Sequence, residues 1–93
     1  MNKLLIIGCG GHSKVVTEIA ELSGYEDIEY LETSNFFKES FLGRKVNKNI
    51  KNWSEDFFVA IGDNFKREKI FNDFLRNNNL SNPISLFHPR SYI

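Results

Sequence analysis

A short apolar run, Lys3-Leu4-Leu5-Ile6-Ile7, leads directly into Gly8-Cys9-Gly10-Gly11-His12-Ser13. Beyond that turn, Val15, Val16, Ile19 and Ala20 recur at helical spacing up to Gly24, which is placed as a C-terminal cap. The run is β-branched at its end and is apolar at every position after Lys3, as in a strand covered on both faces. Strand, glycine turn and helix in this order predict the first half of a βαβ unit. That unit belongs to parallel sheets and excludes an all-helical or meander fold.

The rest of the chain repeats the pattern. Residues 28–31 predict a second strand, and residues 57–61 a third, again continuous, apolar and closed by glycine. Asp63-Asn64 can cap a helix to about Asn77 with Ile70, Phe71, Phe74 and Leu75 turned inward. Residues 84–87 form the last candidate strand, stopped by His88-Pro89. Between them, residues 32–56 are irregular, and Phe41, Leu42, Val46, Ile50 and Trp53 are expected to anchor a short edge strand and a turn of helix. The fold class is α/β: a small Rossmann-like three-layer domain with about four parallel strands in the order 2-1-3-4. Ninety-three residues suffice for one such core and no more, so residues 1–93 are read as a single domain.

In that order the crevice between strands one and three lies at their carboxyl ends, where such sheets bind ligands. Two glycine turns meet there, residues 8–13 and Gly62-Asp63-Asn64. Gly8 and Gly10 permit φ values closed to other residues, and Gly11 has no Cβ to hold a ligand away. The following helix would aim free N–H groups and the positive end of its dipole at an anion. Against the dinucleotide fingerprint G-x-G-x-x-G, Ser13 stands at the third glycine. The G-x-x-x-x-G-K-[ST] of nucleotide triphosphatases is missing.

Individual residues carry two readings each. Glu32, at the end of strand two, is either a ribose-binding carboxylate or a solvated loop residue. His12 either bonds a phosphate or sugar or merely bonds a neighbouring loop. Ser13 and Lys14 can add contacts, although Lys14 also suits a solvated helix face. Asp63 and Asn64 are helix caps that also face the crevice, and Arg67 one turn on can reach a phosphate or stay in water.

Other chemistries are excluded or disfavoured. Twelve basic and twelve acidic residues give zero formal charge, so neither nucleic acid nor an anionic membrane is expected as a partner. Cys9 is the one cysteine, so no internal disulfide is expected; with His12 it lacks a third group to form a catalytic set. Two histidines and one cysteine make a poor metal set, and no catalytic residue is assigned. The apolar start is shorter than the roughly 7–15 residues of a signal core. A cytoplasmic location is expected.

Three ordered motifs together resemble a known family: Ile7-Gly8-Cys9-Gly10-Gly11-His12-Ser13-Lys14-Val15-Val16, Ala60-Ile61-Gly62-Asp63-Asn64 with Arg67, and Leu86-Phe87-His88-Pro89. It is the N-terminal domain of bacterial sugar acetyltransferases of the sialic acid O-acetyltransferase and UDP-amino-sugar N-acetyltransferase type. The resemblance covers essentially the whole chain. It implies a domain that binds a UDP-sugar or related nucleotide-sugar, with Gly8, Cys9, Gly10, Gly11, His12, Ser13 and Lys14 on the pyrophosphate and sugar. Gly62, Asp63, Asn64 and Arg67 would line the same cleft.

In the family a following left-handed β-helix binds acetyl-CoA and supplies the catalytic histidine, and His88-Pro89 resembles the join into it. The implied partners are therefore the nucleotide-sugar and a β-helix acetyltransferase domain, in bacterial surface-glycan or glycoprotein synthesis. Acetyl-CoA is implied for the whole family protein, with no cofactor bound by these residues. Two departures stand out. Glu32-Thr33-Ser34 replaces an acidic run after strand two, and the sequence stops at Ile93, where hexapeptide repeats should begin. The chain is thus read as a fragment or a stand-alone domain, monomeric or weakly associated. The alternatives are an NAD or other nucleotide-binding regulatory module, or an interaction domain with a vestigial site.

Overall fold

The computed structural model describes residues 3–33 and 39–85. In chain order these form β1 (Lys3–Ile7), α1 (Gly11–Leu22), β2 (Asp27–Leu31), β3 (Ser40–Phe41), β4 (Arg44–Asn47), β5 (Asp56–Val59), α2 (Asn64–Asn77) and β6 (Asn82–Pro83). All six strands join one sheet in the order β3-β4-β2-β1-β5-β6. Every pairing is parallel except β3 with β4. The α/β class is as expected, and β2-β1-β5-β6 is the anticipated 2-1-3-4 series. The strand count is corrected from about four to six, because β3 and β4 extend the sheet beyond β2.

The central strand shows why its sequence is apolar throughout. Leu4, Leu5, Ile6 and Ile7 are all 0% exposed. Leu4 and Ile6 pack with Val16 and Ala20 of α1, while Leu5 and Ile7 pack with Phe57, Val59 and Phe74 on the α2 side. Alternate side chains thus enter opposite cores, and the two helices cover opposite faces. The domain has three layers.

Helix α1 buries Ser13, Val16, Thr17 and Ala20, a stripe at i, i+3, i+4, i+7. Val15, expected inside, is 56% exposed, because the polar Ser13 and Thr17 hold places on the buried face. The helix ends in a Schellman motif: Gly24 N–H donates to Glu21 O and Tyr25 N–H to Ala20 O, both at 3.1 Å. Gly24 has φ +99°, which explains the residue there. Helix α2 begins at the expected cap, Asp63, whose carboxylate accepts the Lys66 N–H at 2.9 Å. Phe74 is buried, and Ile70, Phe71 and Leu75 pack beside it as anticipated.

The described part of residues 32–56 supplies the expected edge strand, doubled into a hairpin, but not the expected turn of helix. No helix forms among the described residues of this stretch; a β3–β4 hairpin turns through Leu42 and Gly43 at φ +51° and +73°. Leu42 is exposed in that turn, whereas Phe41 stacks edge-on against Tyr30 with centroids 4.9 Å apart. The last strand lies earlier than expected, at Asn82–Pro83, and Ile84 N–H continues its ladder to Phe57 O at 3.1 Å. Leu86, Phe87, His88 and Pro89 lie outside the described residues. No helix of the described residues is long and apolar enough to cross a membrane.

Candidate functional site

Because β1 connects through α1 to β2 on one side and β5 through α2 to β6 on the other, the helix N-termini flank a crevice beyond the carboxyl ends of β1 and β5. The two glycine turns meet there. Ala60 N–H donates to Ile7 O at 2.9 Å, and a Cβ on Gly8 would stand 2.9 Å from the Ala60 carbonyl oxygen. Gly8 also has φ +115°, so both its dihedral and this close approach require glycine. Its own N–H donates to Leu31 O at 2.8 Å, holding the start of the loop on β2.

Gly10 differs from the expectation. It caps α1 with φ −140°, extended backbone open to any residue. A Cβ on Gly10, Gly11 or Gly62 meets nothing within 4 Å. Neither backbone strain nor packing inside the protein accounts for Gly10 and Gly11, and both are exposed.

The two helix N-termini are finished in opposite ways. Asp63 caps α2 with a carboxylate. At α1 no side chain caps the first turn, and no acidic residue lies in it. Ser13 and Lys14 N–H groups return to Gly10 O at 3.0 and 3.3 Å, which leaves those of Gly11 and His12 for an outside acceptor. An anion is favoured at α1 and repelled by Asp63 at α2.

Beside α1 opens a cleft of about 850 Å³. His12 enters it from α1, Asn64, Arg67, Glu68 and Phe71 from one face of α2, and Ile84 from the end of β6. Asn64 Oδ1 accepts a hydrogen bond from the Arg67 guanidinium, so the two side chains form one polar wall. The fold therefore gathers His12, Asn64 and Arg67 from distant parts of the sequence.

Other expected site residues are placed elsewhere. The Ser13 side chain is fully buried, and its hydroxyl donates to Gly8 O at 2.7 Å. Cys9 is half-buried against the α1-side core, and Lys14 is exposed. Glu32 lies at the end of β2 in a separate groove of about 330 Å³ with Lys48 and Asn49. One of its carboxylate oxygens accepts the Thr33 N–H at 2.9 Å. Sequence reasoning missed Glu68, Phe71 and Ile84. The first two were detectable, since Asn64, Arg67, Glu68 and Phe71 follow the i, i+3, i+4, i+7 spacing of one helix face. Among the described residues, no group of three or more His, Cys, Asp or Glu side chains could hold a metal ion.

No solved structure matches the chain. The model of the PglD N-terminal domain matches residues 3–74, from β1 almost to the end of α2. That span takes in both glycine turns and the polar wall of the cleft. The chain belongs to the PglD N-terminal domain family, the N-terminal domain of PglD-like sugar acetyltransferases.

Proposed function

We propose that this domain binds a nucleotide-activated amino sugar, UDP-linked, and presents its amine to an acetyl-CoA-binding β-helix domain. The diphosphate lies against the N-terminus of α1, and the remainder of the ligand extends into the cleft beside His12, Asn64 and Arg67. The observation that carries this reading is the open α1 terminus, uncapped by any side chain and fronted by two glycines that nothing within the protein requires. A diphosphate supplies the acceptors that those N–H groups need. Arg67, in the wall of the cleft, supplies positive charge nearby.

This domain holds and orients; the acetyl group and the base that takes the amine proton come from the β-helix domain. Glu32 does not share the cleft, so an acidic ribose contact of the dinucleotide kind counts less in this ligand than in NAD. Calorimetric titration of the chain with UDP, CMP, GDP and NAD tests the assignment. UDP is expected to bind most tightly. A preference for NAD would move the domain to a regulatory class, and failure of all four to bind would refute nucleotide recognition.

A further inference from the structure

The residue that breaks the dinucleotide fingerprint is also the one that closes the loop on itself. Ser13 stands where the third glycine would be, is 0% exposed, and donates from Oγ to the carbonyl of Gly8 at 2.7 Å. The partners are five positions apart, so this one bond spans Cys9, Gly10, Gly11 and His12. Two of those are glycines with open surroundings, the most costly residues to order.

Ser13 is itself held from below. The Thr17 hydroxyl donates to Ser13 O at 2.7 Å and lies 2.6 Å from the Tyr30 hydroxyl. Threonine has one hydroxyl proton, already given to Ser13, so Tyr30 is the donor in that pair. Tyr30 is fully buried on β2, which anchors the series in the sheet.

The geometry points to Ser13 as the positioning residue of the anion loop. Its hydroxyl turns the Gly8 carbonyl into the buried side and presets the path from Gly8 to Gly10. Without that donor the Gly8–Cys9 peptide is free to rotate, bringing a carbonyl toward the crevice and setting the Gly11 and His12 N–H groups loose. The Ser13 side chain, fully buried, acts through the loop and not on the ligand. The inference rests on the nucleotide reading above, and it assigns the fingerprint's departure a task within it.

Calorimetry with UDP and amide hydrogen exchange on the free chain test this together. Ser13→Ala and Ser13→Gly should each weaken UDP binding roughly three- to tenfold through lost preorganisation. Both should also speed exchange at Gly11 and His12. Tyr25→Phe removes a hydrogen bond to Asp56 at the amino ends of the strands, away from the loop, and sets the effect of lowered stability alone. It should lower the melting temperature while leaving the UDP affinity within about twofold, as a loss confined to the fold. Should Ser13→Ala prove poorly folded, Ser13→Gly carries the comparison, because it restores the fingerprint without the hydroxyl. Unchanged affinity and exchange in the Ser13 variants would overturn the positioning role while the wild type still binds UDP. A wild type that binds no nucleotide would overturn the functional reading, and the positioning role with it.

Discussion

Gly8 and Gly10 stand two residues apart in one loop, yet the fold depends on them for different reasons. At Gly8 a side chain would meet both a φ of +115° and the Ala60 carbonyl. Gly8→Ala should therefore destabilise the domain by about 2–3 kcal/mol, seen as an earlier urea midpoint. At Gly10 neither obstacle exists, and alanine is merely a poorer N-cap. Gly10→Ala should cost within about 1 kcal/mol while weakening UDP binding, because the new methyl group occupies the ligand's approach. Equal losses of stability in both variants would contradict this division. Sequence alone identified the loop but could not separate its glycines, since the distinction lies in the neighbouring Ala60. The inward turn of the Ser13 side chain is hidden in the sequence for a similar reason: a serine in a first helical turn points equally well outward or inward until the helix face is known. His12, Asn64 and Arg67 were legible as candidates, and only the strand order places them in one cleft.

At the level of elements, the strands and helices that form the core were readable from short-range pattern. The apolar runs of β1 and β5, the cap at Asp63 and the Gly24 stop each reflect local chemistry that tertiary contacts only reinforce. The β3–β4 hairpin was not readable. Its strands are two and four residues long, too short for alternation to show, and its turn lacks the usual Asn-Gly signal. Leu42 instead occupies φ +51°, a left-handed position that suits asparagine better than a branched aliphatic residue. The hairpin holds because Val46 is buried and Phe41 stacks on Tyr30, while Arg44 bridges to Glu21 of α1 at 2.7 Å. Leu42 contributes exposure and strain to this arrangement. Leu42→Asn should accordingly raise stability by about 0.5–1 kcal/mol, measurable as a later urea midpoint with an unchanged slope. A loss of stability would show that Leu42 packs more usefully than its exposure indicates.

Across the whole molecule, parallel pairing sends the two ends of the strands to different tasks. The carboxyl ends open on the crevice, while the amino ends bring Lys3 beside Asp27, and Asp56 beside Asn82. There Lys3 lies 3.2 Å from Glu29 and 5.3 Å from the Trp53 ring centre, and Tyr25 donates to Asp56 at 2.6 Å. Of the groups whose proton affinity changes on folding, Lys3, Tyr25 and Glu29 lie at this end, away from the ligand crevice. Burial, and then the bond to Asp56, push the Tyr25 phenol up to about 12. Burial also raises Tyr30. The Glu29 carboxylate raises Lys3. All three bind their protons more firmly when folded, so their contributions are complete below the ordinary tyrosine and lysine values of about 10. They are lost as pH rises through the folded values. For Glu29 burial opposes ionisation, but hydrogen bonds from Asn47 and Lys3 prevail and lower its value, so its contribution is lost only under acid. The domain should therefore hold its stability up to about pH 10 and lose it between about pH 10 and 12 as the Tyr25 phenol titrates. Tyr25→Phe removes one of these protons and should flatten that alkaline limb in urea titrations, with a lower plateau at neutral pH from the lost Asp56 contact. An alkaline limb as steep in the phenylalanine variant as in the wild type would place the titrating group elsewhere, with Tyr30 on the buried face of β2 the next to replace.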